Sequence, residues 1–273
     1  MKYIAISSPG MARIPYLDSF LAGPVVPLSQ ARRRGAKLQA VAGWGNKQGK
    51  FHAEAEAYAQ QHGLPYWRLE DGFLRSFGTA RYFPSVSLIV DTSGGIYYDS
   101  TRPSALEERL QACDKLLIGR EAKVERAMHA VVKHGLSKYN NGRPLPPKLK
   151  TRLQQHRGPK LLIVDQTLND LSVSGAQADS HAFERMLQAA RSRHPGALVV
   201  IKTHPEVSEG SKAGYFSNIK EDENTLLVSM RVEPYDLLAE IDEVYTVSSQ
   251  LLKPCWPPSL CIALACPGTQ DGG

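Results

Sequence analysis

The chain is poor in cysteine, has no long apolar run and lacks the short motifs that identify the commonest enzyme classes. Four of its 273 residues are cysteine, too few for a disulfide scaffold. Cys113 stands alone in the first 250 residues, whereas Cys255, Cys261 and Cys266 crowd the last 22. With five and four residues between them and no histidine nearby, these three lack the close pairs of a zinc cluster, and no metal is expected. No apolar stretch approaches the roughly 20 residues of a membrane-spanning helix. The opening Met1–Ser7 turns polar too early for a signal peptide, so the chain is expected in the cytoplasm. A Walker loop, a G-x-G-x-x-G fingerprint, H-E-x-x-H and a nucleophile elbow are all missing. So is any basic stretch interleaved with aromatics, and no nucleic-acid partner is expected. No internal repeat survives residue-by-residue comparison.

What is present is globular: 42% of residues are hydrophobic and 22% charged, which excludes disorder. Lysine and arginine number 33 against 27 acids, a net charge of +6 that favours an anionic partner. Short apolar runs alternate with polar turns and helical stretches. In the first half, runs at 3–6, 38–42, 66–69 and 87–91 read as strands, with 96–99 pairing against the last of them. A helix is expected over 52–62, a Ser104-capped helix carrying Glu107 follows, and another helix runs over 121–134. Residues 138–160 differ in kind, with four prolines, seven basic residues and few apolar ones. They read as a linker. The alternation then restarts with strands at 160–164, 197–202, 226–228 and 243–247 and a helix over 181–194. Two parallel-sheet α/β domains with a cleft between them are expected.

In such sheets ligands bind beyond the carboxyl ends of the strands, so polar residues after each apolar run carry the candidate chemistry. Glu70 and Asp71 precede Gly72, placed either for general acid/base or nucleophilic work or simply to cap a helix. Asp165-Gln166-Thr167-Leu168-Asn169-Asp170-Leu171-Ser172 is either a polar site or a surface loop. Lys202 and His204 before Pro205 suit a phosphate or carboxylate, or form only a turn. Ser248, Ser249 and Gln250 stand where a helix should begin, as phosphate donors or as a cap.

At these motifs the chain resembles the KpsC/LipB family of capsule polysaccharide proteins, retaining β-Kdo transferases. The resemblance runs through residues 1–251: Ser8-Pro9-Gly10 with Arg13-Ile14-Pro15, Trp44-Gly45, the run from Arg68 to Ser76, Gly95 to Asp99, Pro103 to Glu107, Asp165-Gln166-Thr167, Thr203-His204-Pro205 and Ser248-Ser249-Gln250. It implies a modified GT-B arrangement of two Rossmann-like domains: 1–137 on the acceptor side, 138–160 as linker and 161–251 binding a CMP-sugar. The implied reaction moves Kdo from CMP-β-Kdo to a lipid-linked saccharide acceptor in the cytoplasm, peripheral on the inner face of the inner membrane, without a cofactor, beside other capsule assembly proteins. Retention implies two displacements through a sugar-enzyme adduct. Asp170 is the candidate nucleophile and Glu70 the acid/base, with Asp71 as its alternative. Lys202 and His204 would hold the donor phosphate or the Kdo carboxylate. Gln166, Ser172, Ser248, Ser249 and Gln250 would line the CMP-Kdo site.

After Gln250 the family pattern stops. Residues 252–273 are rich in proline and cysteine and show no periodicity. Permitted codons for Ala265 to Gly272, read in another frame from the last base of Ala265, give Leu-Pro-Trp-Tyr-Ala-Gly-Trp, close to a segment the family carries. The tail is therefore expected to be out of frame from near Leu251, leaving the second domain incomplete and this chain an unstable or inactive truncated form. A non-catalytic nucleotide-binding or scaffold remnant is the competing expectation.

Overall fold

In the computed structural model the apolar runs become two five-stranded sheets. Residues 1–78, 83–112 and 116–249 are described, together with the backbone of Cys261–Leu264. The chain divides into two compact units, Met1–Val124 and Glu125–Gly273.

The first unit contains β1 (Tyr3–Ile6), α1 (Leu17–Phe20), β2 (Val25–Pro27), α2 (Leu28–Arg34), β3 (Leu38–Trp44), α3 (Lys50–Gln61), β4 (Tyr66–Asp71), β5 (Leu88–Asp91) and α4 (Ala105–Gln111). The strand order is β2-β1-β3-β4-β5. The first four strands are parallel and β5 is antiparallel to β4. Alternate residues face opposite layers, as the pleat requires. Ile4, Ile6, Ala40, Ala42 and Leu69 pack with Met11, Leu17 and Leu21. Ala5 and Val41 face α2 and α3 through Leu28, Ala31, Ala55 and Ala59. The Ser104 hydroxyl caps α4 by accepting from the Glu107 N–H at 3.1 Å.

Helix α5 (Glu121–Lys133) contains the division between units. The second unit continues with α6 (Pro147–Gln155), β6 (Lys160–Val164), α7 (Leu171–Gly175), α8 (Ser180–Arg193), β7 (Leu198–Lys202), α9 (Pro205–Ser208), β8 (Thr225–Val228), α10 (Pro234–Leu238), β9 (Glu243–Thr246) and β10 (Cys261–Leu264). Its strands are ordered β10-β9-β6-β7-β8, all parallel. Asp179 caps α8, whose Ala182, Phe183, Met186, Leu187 and Ala190 recur at helical spacing and bury one face of the sheet. The other face packs on Leu153, Leu237 and Leu238. These are two doubly wound, Rossmann-like α/β units.

Three expectations need correction. Residues 138–160 are not a linker between domains ending at 137 and starting at 161. Leu145 and Leu153 lie in the core of the second unit, and the strand-like bridge Arg143↔Val232 ties the segment to it. Three of its basic residues, Lys148, Lys150 and Arg152, ride on α6, whose Leu149 and Leu153 pack inward, so composition misreads it. Ile96–Asp99 form no strand: the Asp99 N–H donates to the Ile96 carbonyl at 2.9 Å, and the Asp99 carboxylate binds Thr101 and Asn46. Glu70 and Asp71 belong to β4, paired with Ile89 and Leu88, rather than to a loop after it. Within the tail, Cys261–Leu264 add an edge strand beside β9. Gln250 and the rest of 252–273 lie outside the described residues.

Candidate functional site

In the second unit the carboxyl ends of β6 and β9 bring four candidates together. The turn after β6 carries Gln166, only 3% exposed. Its Nε2 donates to the Ser248 hydroxyl at 2.9 Å and its Oε1 accepts from the Ser248 N–H at 3.0 Å. The Ser172 and Ser248 hydroxyls are 3.0 Å apart. Asp170 caps α7, its Oδ1 accepting from both the N–H and the hydroxyl of Ser172 at 2.9 Å. Asn169, just before it, adopts a left-handed backbone with φ 63°. Ser249 donates its N–H to the Thr246 side chain at 3.1 Å, closing the turn after β9.

Asp165, fully buried, anchors this turn. It accepts from the N–H groups of Gln166 at 2.9 Å and Tyr215 at 3.0 Å. Gly214 lies so close that a Cβ there would overlap the carboxylate. Burial pushes the Asp165 carboxyl up, opposed by the Tyr215, Gln166 and Phe216 N–H groups and by Lys202. Lys202, at the end of β7, donates to the Thr203 carbonyl at 2.9 Å rather than to the Gln166 network. Burial brings its ammonium down to about 8 against the pull of Asp165.

His204 caps the short helix α9, its Nδ1 accepting from the Glu206 N–H at 3.2 Å. Burial lowers its pKa to about 4, opposed by Glu206 and Asp170 and reinforced by Lys138 and Lys212. The imidazole is therefore neutral near pH 7, and because Nδ1 accepts, its proton sits on Nε2. His204 is thus a hydrogen-bond donor and not a cation.

In the first unit Glu70 and Asp71 end β4. Asp71 holds the Arg75 guanidinium at 2.7 Å and accepts from the Ser85 hydroxyl. Arg75, 4% exposed, also donates to Ser76 and to the carbonyls of Gly78 and Phe83. Asp71 is thereby committed to the loop that follows it. Glu70 faces Gly45, which has φ 49° and leaves no room for a side chain beside the Tyr98 hydroxyl. Buried Arg68 secures the same turn through the Gly45 and Gly94 carbonyls and Glu56. Ser7, His52 and Tyr66 gather at Gly43. Burial pushes the Tyr66 hydroxyl up to about 12.

Sequence reasoning missed Arg75 as the organiser of its loop and the positioning role of Asp165; charged residues at strand ends were the available signal. A depression of about 520 Å³ at the starts of β7 and β8, lined by Arg191, His194, Asp222 and Thr225, contains none of the candidates. Its His194 is paired with Glu243 at 2.7 Å. Among the described residues no cluster of three or more metal-ligating side chains forms, and no helix is long and apolar enough to cross a membrane.

Two Rossmann-like units of this kind, with polar side chains gathered at their strand ends, define a GT-B-type α/β protein. The family model described as capsule polysaccharide biosynthesis protein matches residues 39–251, and the chain belongs to that family. It is 36% identical over 252 residues to the capsule polysaccharide modification protein LipA of Neisseria meningitidis serogroup B, covering 92% of this chain and 34% of LipA. The chain thus spans about a third of that relative. Among solved structures, the β-Kdo 2,4 transferase of Thermosulfurimonas dismutans KpsC superposes with a TM-score of 0.85 at 36% identity, over 97% of this chain and 79% of that one. The β-Kdo 2,7 transferase of the same organism's KpsC gives 0.57 at 20% identity with the same coverages, a likeness of fold alone.

Proposed function

We propose that the chain is a retaining glycosyltransferase module of capsule polysaccharide biosynthesis that moves Kdo from CMP-β-Kdo to a lipid-linked saccharide acceptor at the cytoplasmic face of the inner membrane. The observation that carries this reading is the convergence of Asp170, Gln166, Ser172 and Ser248 at two strand ends in a chain whose fold matches a KpsC Kdo transferase.

In the first displacement the Asp170 carboxylate attacks the anomeric carbon as the bond to the CMP phosphate breaks, and CMP leaves with the electron pair. In the second, an acceptor hydroxyl attacks the same carbon, gives its proton to a carboxylate base and releases Asp170. Inversion at each step leaves overall retention. Glu70 would be the base, with Asp71, whose oxygens serve Arg75 and Ser85, as its alternative. Gln166, Ser172, Ser248 and Ser249, with Gln250 beyond the described residues, would meet the CMP moiety. Lys202 and His204 would serve its anionic groups. The out-of-frame reading of residues 252–273 remains part of the proposal.

Asp170→Asn tests the nucleophile. The amide can still cap α7, so CMP binding should stay within about twofold of wild type while transfer to a saccharide acceptor is abolished. CMP binding is read from thermal stabilisation and transfer from a labelled acceptor. Retained turnover in the variant would refute the role, and a wild-type chain that binds CMP without turning over would favour the non-catalytic remnant.

A further inference from the structure

Glu70 stands where three parts of the first unit meet: the turn after β3, the end of β4 and the turn between β5 and α4. Its two oxygens have different surroundings. Oε1 accepts from the Asp71 N–H at 3.1 Å. Oε2 lies over Gly45, where a Cβ would stand 3.0 Å from it and would overlap the Tyr98 hydroxyl. Glycine is needed at this position twice, for its φ of 49° and for the two oxygens that share its open face. The missing side chain lets a phenol and a carboxylate come side by side across the turn.

The Tyr98 oxygen accepts from the Asn46 N–H at 3.0 Å. A phenol oxygen that accepts from an amide keeps its own proton to donate, and an ionised carboxylate is purely an acceptor. The Tyr98 ring is held edge-on to Tyr97 at 5.3 Å, and Tyr97 edge-on to Phe73 at 5.2 Å. The Asn46 side chain donates to the Asp99 carboxylate, which also accepts from Thr101. Arg68, two residues before Glu70 and so on the same face of β4, fixes the turn through the Gly45 carbonyl at 3.1 Å and the Gly94 carbonyl at 2.8 Å. The titratable and charged groups around the turn are Arg68 and Asp71 on β4, His52 and Glu56 on α3, Lys47 after β3, and Asp99 and Arg102 after β5. Arg68 and Arg102 meet Glu56, Asp71 meets Arg75, and Asp99 is engaged by Asn46 and Thr101.

Building on the glycosyltransferase reading above, we propose that Tyr98 is a positioning residue for the acid/base carboxylate: its hydroxyl, fixed by the Asn46 N–H, donates to Glu70 Oε2 and holds Glu70 in one orientation. One bond to each oxygen still leaves a lone pair to take the proton of an acceptor hydroxyl. Gly45 is the residue that makes this approach sterically possible.

The test is carbon NMR of the full chain carrying carboxyl-labelled glutamate, with Glu70→Gln identifying the Glu70 signal by deleting it. Tyr98→Phe keeps the ring contacts and removes only the hydroxyl. In that variant the Glu70 carboxyl should titrate about one pH unit higher than in wild type, because the lost donor favoured the ionised form. The Glu56 signal, tied to the same turn through Arg68, should stay in place. In a transfer assay the acidic limb of kcat should move up with the Glu70 titration, and kcat on the plateau should fall about tenfold with little change in KM for the acceptor. A Glu70 carboxyl that titrates alike in both proteins overturns the positioning role, and so does a shift shared by Glu56, which reports a loosened turn. Wild-type transfer by Glu70→Gln overturns it too, by removing Glu70 as the base, and leaves Asp170 as nucleophile untouched. A shifted Glu70 signal in a chain that turns over no donor supports the Tyr98 role and counts against the transferase reading alone.

Discussion

Acidification should destabilise the second unit through His204. Its pKa is about 4 in the fold against about 6.5 in an unfolded chain. A folded pKa that is depressed means the unfolded chain takes up the proton first. Stability from this group is therefore complete above about pH 6.5 and is lost as pH falls toward 4. Linkage between those two values gives a penalty of about 0.2 kcal/mol at pH 7 and about 2 kcal/mol at pH 5. The cause is visible: a proton on Nδ1 would face the Glu206 N–H that now donates to it, inside surroundings that desolvate the charge. The assay is denaturant unfolding of the second unit at pH 7 and pH 5, wild type beside His204→Asn. Asparagine can cap the same helix but does not titrate. The wild type should lose about 2 kcal/mol more than the variant over this interval, equivalent to about 4–8 °C in melting temperature for a unit of this size. Nitrogen NMR of the imidazole should show the proton on Nε2 down to about pH 5. Equal losses in the two proteins, or a ring that titrates near 6.5, would refute the reasoning.

Two further outcomes follow from other parts of the chain. Arg75→Leu should cost the first unit about 2–4 kcal/mol, because it leaves the half-buried Asp71 without its partner and empties the acceptors at Gly78 and Phe83; a denaturation midpoint within experimental error of wild type would contradict this. The gene read through codon 251 in all three frames should continue in one of the other frames into the Trp-Tyr-Ala-Gly-Trp segment, and a frame that does not do so removes the out-of-frame reading of the tail.

Much of the scaffold was legible because it rests on local rules. Buried strands such as Lys160–Val164 and Leu198–Lys202 announce themselves as apolar runs broken by polar turns. The Ser104 cap and the apolar stripe of α8 follow from spacing alone. The short strand Val25–Pro27 was not legible, because three residues that follow Pro24 and end at Pro27 carry too little pattern and gain their strand geometry only by pairing with β1. The 138–160 segment failed for a related reason: two leucines, Leu145 and Leu153, decide its place, and their burial depends on strands and helices as distant in sequence as Val244. In the site, the hydroxyls and amides after β6 and β9 could be selected by position, since strand ends are where such sheets bind ligands. That Gln166 would grip Ser248 across 82 residues, that Asp71 would be spent on Arg75, and that His204 would be uncharged are all results of packing, which a linear reading does not contain.

The bond from the Leu145 N–H to the Asp236 carboxylate, spanning 91 residues, carries a consequence for synthesis on the ribosome. The first sheet is built from neighbours, so it can assemble while the rest of the chain is still being made. The second has its central strand, β6, flanked by β7 and by β9, and its entry segment stitched to residues 231–236. Until Glu243 emerges, one edge of β6 lies open and the segment ahead of it has nothing to close upon. The second unit must therefore wait as an unfinished sheet, exposed to strand pairing with other nascent chains, until β9 (Glu243–Thr246) has been made.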